Sequence, residues 1–226
     1  QKSLIGLDLI LKPKNILVLG YSDEEYLDKL RLRFADANIH TNVQNNSFDI
    51  IISNSNIHLT DNITDELDRL YEMLNDDGVL LFSSFGERSF STLNKAFASI
   101  DNLPHTNGMI DAMSWGGVLQ SSRYYTPAIE SDVINFTYEK VDTLFNDIRE
   151  LNEPLADTKM QSTLTGKNKW QKFIQELNKN LKLEVEALYG YAVRKETPEP
   201  TKKENSSTRM SIDDLKKQIA DFKKGL

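Results

Sequence analysis

The run Ile16-Leu17-Val18-Leu19-Gly20-Tyr21-Ser22-Asp23-Glu24-Glu25-Tyr26-Leu27 has the pattern of a buried strand that turns directly into a helix. In open α/β sheets such a turn offers backbone N–H groups and the positive end of a helix to the anionic part of a nucleotide-like ligand. Glycines are favoured there because a residue without Cβ turns tightly and lets the ligand approach the backbone. Only Gly20 remains here, and Ser22 and Glu24 hold the positions where second and third glycines are expected. Side chains at these two positions stand in the ligand's path. A second polar edge is the end of Phe48-Asp49-Ile50-Ile51-Ile52-Ser53-Asn54, an apolar run typical of a central parallel strand. Gly20, Ser53 and Asn54 are therefore the expected ligand contacts at the carboxyl ends of two strands.

Other chemistry is sparse. The chain has no cysteine, which excludes thiolate ligands, a thiol nucleophile and disulfides. His40, His58 and His105 show no metal-ligand spacing, so no metal site is expected. No acid–base dyad or nucleophile triad stands out. Trp115 and Trp170 fall at apolar positions and read as core residues rather than ligand platforms.

The 226 residues are 39% hydrophobic and 27% charged, which suits one globular domain with some loosely held sequence. A net charge of −7 argues against a nucleic-acid partner, because neutralising phosphates needs clustered Lys and Arg. No apolar run approaches the roughly 20 residues that span a bilayer, so no membrane partner is expected. A reducing, cytoplasmic setting fits this composition. The sequence begins at Gln1 without a signal-like apolar stretch, the expectation being a processed or truncated product.

The elements that must position these residues alternate between strand-like and helix-like patterns, the signature of an α/β fold. Asp23 caps an expected helix to about residue 35, with Tyr26, Leu27, Leu30 and Phe34 at helical spacing. Residues 38–43 form a short strand, and 48–54 the central one. A helix near 65–74 ends at Asn75-Asp76-Asp77-Gly78, and 79–85 is the next strand. Further helices are expected at 91–100, 141–151 and 169–180, and strands at 124–136 and 183–193. From 196 to 210 the sequence is rich in Pro, Lys, Glu and Ser and reads as a linker closing a domain of residues 1–195. Ser211, Ile212, Asp214, Leu215, Ile219 and Phe222 then outline a capped amphipathic helix over 211–226. It docks either on its own domain or on a protein partner.

The central residues are also familiar in order and spacing. They comprise Phe48-Asp-Ile-Ile-Ile-Ser-Asn-Ser-Asn-Ile-His-Leu59, Leu70-Tyr-Glu-Met-Leu-Asn-Asp-Asp-Gly78 and Val79-Leu-Leu-Phe-Ser-Ser-Phe-Gly86. Gly86-Glu-Arg-Ser-Phe-Ser-Thr-Leu-Asn-Lys-Ala-Phe97 follows, then Ile100-Asp101 before Pro104-His105-Thr106-Asn107, and the closing Leu188-Tyr189-Gly190-Tyr191-Ala192. Over about residues 7–195 the chain resembles the BioC family within the class I S-adenosylmethionine methyltransferases. The resemblance implies a Rossmann-like α/β fold, a mostly parallel sheet with helices on both faces. It implies methyl transfer from S-adenosylmethionine to the malonyl carboxylate of malonyl-acyl carrier protein, a step of biotin synthesis, with acyl carrier protein as partner. It also implies that His58 lines the methyl-transfer site and that His105 and Asn107 face the acyl substrate.

The departures from the family lie in the N-terminal half. Val18 stands where the family has an acidic residue, and the family's arginine after Asn107 is Gly108 here. Arg88, Arg123 and Arg149 are the substitutes to consider. Residues 21–47, about 27 in number, are too few for the two βα units that the family places there, given roughly 30 for one βαβ unit. The sheet is therefore expected to lack about one βα unit, and with it the acidic residue that holds the cofactor's ribose. Asn42, Gln44, Asn45 and Asn46 are the amides available in its place. Asp23, Glu24 and Glu25 at the helix start repel the cofactor's carboxylate and attract its ammonium or sulfonium. Two readings follow: a BioC-like methyltransferase, or a methyltransferase-fold protein that has lost its cofactor and acts as a binding module. A third, a related branch concerned with assembly of respiratory complex I, is not selected by any residue.

Overall fold

The computed structural model describes residues 12–43, 47–60, 62–151 and 166–195. Within them the chain forms strands β1 (Asn15–Gly20), β2 (Asn38–His40), β3 (Phe48–Asn54), β4 (Leu74–Phe85), β5 (Tyr125–Thr137) and β6 (Lys182–Val193). The helices are α1 (Glu24–Arg33), α2 (Ile63–Met73), α3 (Ser91–Ala98), α4 (Ala112–Ser121), α5 (Val141–Glu150) and α6 (Lys167–Leu177). The strands make one sheet in the order β2-β1-β3-β4-β6-β5. β2, β1, β3 and β4 are mutually parallel, and only β6 runs against its neighbours β4 and β5. Among the described residues a single short strand lies outside β1, as the shortened N-terminal half requires.

Helices cover both faces because the strands alternate two apolar sets. Leu17, Ile51, Leu80, Phe82 and Leu188 pack with Leu67, Leu70 and Tyr71 of α2 and Trp115 and Leu119 of α4. Ile16, Val18, Ile50, Ile52 and Leu81 face the other way, onto Tyr26, Leu27 and Leu30 of α1. Further along that second face Phe85, Leu183 and Val185 meet α3, α5 and α6 through Leu93, Leu144, Phe173 and Leu177. Asp23 caps α1 by accepting from the Tyr26 N–H at 2.7 Å, and Asn62 caps α2.

Gly190 explains part of the closing motif on β6. A Cβ there would lie 2.0 Å from the Phe82 ring, so only glycine lets Phe82 lie across β6. Phe82 in turn packs against the fully buried Trp115, with ring centroids 4.8 Å apart.

Three features differ from the sequence pattern. The helix α4 has no counterpart in it, because Gly116 and Gly117 each cost about 1 kcal/mol of helix propensity. Tertiary burial of Trp115 and Leu119, with Asp111 capping through Ser114, supplies what the local sequence lacks. Second, Asn75–Gly78 does not separate helix from strand. β4 begins at Leu74, which pairs with Phe48, and the register then shifts so that Ile50 faces Val79. The extra residues bulge outward with Asp77 at φ 59°. Third, Trp170 is 41% exposed, lying against Phe145 and Phe173 at the surface of the α5–α6 pair rather than in the interior. Helix and strand ends otherwise move by a few residues, the usual fraying. Residues 196–226, where a linker and an amphipathic helix are expected, lie outside the described residues.

Asp49 ties the amino edge of the sheet together. Its carboxylate accepts from the backbone N–H of Lys14 and Asn15 at 2.7 and 2.9 Å and from the Asn75 amide at 2.7 Å. Partial burial pushes its pKa upward, but these donors outweigh burial and hold it below the ordinary aspartate range. A lowered carboxylate pKa stabilises the fold above the unfolded value, and that contribution disappears as pH falls through the folded value. Asp49→Asn should therefore cost about 1–3 kcal/mol at neutral pH. It should also flatten the acid limb of stability below about pH 4, measured by urea melts across pH. Gly190→Val should cost about 1–3 kcal/mol or more through overpacking against Phe82, read as a lower Tm in calorimetry.

Candidate functional site

The carboxyl edge of the sheet contains a topological switch point. From β1 the chain passes through α1 to β2 on one side, while β3 pairs with β1 on the other, and ligands of open α/β sheets bind where such directions diverge. Gly20 and Asn54 are register partners there. Gly20 has φ +80°, and a Cβ on it would lie 2.2 Å from the Asn54 carbonyl oxygen. The closeness is maintained from both strands. The Tyr21 N–H donates to the Asn54 carbonyl at 3.0 Å, and the Asn54 Nδ2 donates to the Tyr21 carbonyl at 2.7 Å. Ser83 on β4 donates to Asn54 Oδ1 at 2.8 Å and accepts from the Ser55 N–H at 2.9 Å. Three strand ends are thus laced together. Ser53 is fully buried behind them, its hydroxyl without a hydrogen-bond partner among the described residues.

The acidic residues at the start of α1 turn onto neighbours. Asp23 serves as cap and accepts from the Tyr21 phenol at 3.1 Å, Glu25 pairs with Lys29 at 2.6 Å, and Glu24 pairs with Arg31. The hydrogen bond to Asp23, reinforced by its charge and more weakly by Glu150 and Glu25, raises the pKa of Tyr21.

Beside this laced edge opens a cleft of about 390 Å³. Tyr21, Ser55 and Phe85 enter it from the ends of β1, β3 and β4. Leu183 and Val185 of β6, Phe136 of β5 and the following Tyr138 form another wall, and Asp147, Glu150 and Leu151 close it from α5 and its end. The Tyr138 phenol donates to Asp147 Oδ2 at 2.8 Å. Burial, with that hydrogen bond, pushes Tyr138 up to about 12, so it stays a donor at neutral pH.

His58 sits on a short 3₁₀ turn (Ile57–Leu59) and meets the Phe85 ring edge-on at 5.5 Å, next to the cleft. On the other side of Leu151 lies a smaller cavity of about 80 Å³, lined by Phe90, Leu93, Met109 and Ile148 together with His105 and Asn107. His105 stacks on Phe97 at 3.9 Å, and its Nε2 meets Asp101 Oδ1 at 2.7 Å, with Lys169 3.5 Å from the other carboxylate oxygen. The hydrogen bond to His105 holds Asp101 below the ordinary aspartate range. The sequence-expected residues thus divide between two adjoining spaces. Gly20 and Asn54 directly precede the cleft residues Tyr21 and Ser55, His58 packs on the cleft residue Phe85, Ser53 is buried behind them, and His105 and Asn107 line the small cavity.

The candidate arginines are not brought to either space. Arg123 pairs with Glu72 and lies 4.1 Å over the Tyr71 ring, at the amino edge of the sheet. Arg149 is exposed and donates to Asn146, and Arg88 is exposed with its backbone N–H on Glu186. Phe136, Tyr138, Asp147 and Glu150 are cleft residues that the motifs do not reveal. Asp147 and Glu150 fall on the polar side of the α5 pattern, where they read as solvated charges. No group of His, Asp and Glu suited to a metal occurs among the described residues. No helix of the described residues is long and apolar enough to cross a membrane.

The sheet order, the switch point and the helices on both faces are those of a Rossmann-like class I methyltransferase fold. A solved candidate methyltransferase from Bacillus halodurans superposes with a TM-score of 0.50 at 10% identity, covering 85% of this chain and 97% of that one. In sequence the chain is similar to proteins named malonyl-acyl-carrier-protein O-methyltransferase. It is 29% identical over 148 residues to the one from Nitrosospira multiformis, which covers 63% of this chain and 48% of that protein. To the one from Gallionella capsiferriformans it is 24% identical over 152 residues, 65% of this chain and 52% of that protein. The chain therefore spans about half the length of the curated relatives it matches. No protein-family model matches it.

Because Gly20 combines positive φ with a 2.2 Å approach to Asn54, Gly20→Ala should cost about 1–3 kcal/mol. Urea denaturation checks the loss, and an unchanged midpoint would mean that the β1–β3 crossing is not tight.

Proposed function

We propose that this chain is a BioC-like methyltransferase that moves a methyl group from S-adenosylmethionine to the malonyl carboxylate of malonyl-acyl carrier protein, in a cytoplasmic step of biotin synthesis. The observation that carries this reading is the likeness over about 150 residues to proteins named for that activity. It is supported by a cleft at the carboxyl edge of the sheet, beside the switch point, where the fold favours a ligand.

The cleft suits the cofactor in size and chemistry. Ligand sites run to about 300–1,000 Å³ and are mostly apolar with a few polar groups, and this one has aromatic and aliphatic walls with carboxylates at one side. Gly20, Tyr21 and Ser55 would meet the cofactor from the strand ends, with Ser53 and Asn54 shaping the edge behind them. Bound there, S-adenosylmethionine supplies an already activated methyl group. The protein's task is then to hold the acceptor in line and exclude water, and a carboxylate acceptor needs no general base. Phe85, Phe136 and Leu151 exclude water from the cleft. His58 packs on Phe85 of the cleft, and His105 and Asn107 would offer polar groups to the acyl end from the small cavity. Acyl carrier protein is the partner, and residues 211–226 are the candidate segment for a further protein contact.

Calorimetric titration with S-adenosylmethionine, followed by methyl transfer to malonyl-acyl carrier protein, tests the reading. Micromolar binding and ester formation are expected, and His105→Ala should raise KM for the acyl protein about tenfold (about 1.4 kcal/mol). Failure to bind at millimolar cofactor would overturn the enzyme reading and leave a methyltransferase-fold binding module.

A further inference from the structure

Among the described residues, the lining of the large cleft carries two carboxylates, Asp147 and Glu150. They lie three residues apart on α5 and so share one helical face. The rings of Tyr21, Phe85, Phe136 and Tyr138 line the same cleft. Asp147 is oriented by the Tyr138 phenol at 2.8 Å. Aromatic faces attract organic cations through the ring quadrupole, and nearby carboxylates add direct charge attraction. A ligand with positive groups on a partly apolar body complements these residues.

We propose that this cleft receives the cationic methionyl portion of the cofactor, with Asp147 and Glu150 of α5 supplying the negative charge against its ammonium and sulfonium. The inference rests on the methyltransferase reading above, and deepens it by assigning the charge recognition to α5. The strand beside β1, β2, ends at His40 and is followed by Thr41 and Asn42 rather than by an acid, whereas α5 brings two acids to the cleft.

The test is calorimetric titration of the full 226-residue chain with two probes, S-adenosylmethionine and the uncharged thioether 5′-methylthioadenosine. The variant Asp147→Asn with Glu150→Gln retains the shape of both side chains and a hydrogen-bond acceptor for Tyr138. It should bind S-adenosylmethionine about tenfold more weakly while changing affinity for the thioether less than about twofold, as loss of a charge interaction requires. Circular dichroism melts of the variant should match the unsubstituted protein. If that protein binds S-adenosylmethionine and the variant binds it equally well, or if both probes weaken together, the assignment to α5 is overturned and the methyltransferase reading stands. If the unsubstituted protein binds neither probe, both fall.

Discussion

The contact on which the carboxyl edge depends is the close crossing of β1 and β3 at Gly20. A glycine with φ +80° lets the Asn54 carbonyl approach to where a Cβ would be, and reciprocal hydrogen bonds between residues 21 and 54 hold the two chains there. Ser83 extends the lacing to β4. In an open α/β sheet the crevice at the switch point is ordinarily left for a ligand, with a glycine-rich loop to cradle it. Here the protein's own backbone and one amide side chain use the hydrogen-bonding capacity of that edge. The open volume lies beside it, between the strand ends, the β5–β6 ribbon and α5.

A second constraint governs the other half of the sheet. β6 turns against its neighbours and must lie close to β4, and the absence of a side chain at Gly190 allows Phe82 to cross it and meet Trp115. This packing secures α4 despite its two interior glycines and holds β6 in place. β6 then presents Leu183 and Val185 to the cleft and pairs with β5 so that Phe136 stands on the same side. Substrate-side residues are thus positioned by core packing rather than by local loop sequence. His105 is held in the same manner, stacked on Phe97, which itself stacks on the buried Phe173.

Much of the fold was legible in the chain because its strands and helices carry strong local patterns. The runs at 16–20, 48–54 and 79–85 are apolar on both faces, as buried parallel strands must be, and the helical stripes on α1, α2 and α5 repeat at three and four residues. The missing βα unit was visible as a count of residues between Gly20 and Phe48. Less legible were α4 and the Asn75–Gly78 bulge, where local propensity points one way and long-range pairing or burial prevails. Of the candidate site, Gly20 and Asn54 adjoin the cleft residues Tyr21 and Ser55, and His105 and Asn107 line the smaller cavity, while the walls contributed by β5 and α5 had no motif to announce them.

By itself the amino-acid sequence determined the alternating architecture, the likeness in motif order and the single glycine of the first loop. Each of these is written in short stretches, in hydrophobic period, motif spacing or residue type. Only the tertiary structure decided where open space remains and what charge it carries. Tyr21, Phe85, Tyr138 and Glu150 are far apart in the chain, and no local pattern says that they line one volume. That outcome follows from how closely β1, β3 and β4 can approach at their ends, a question of backbone sterics and hydrogen bonding between strands, settled only when they pack.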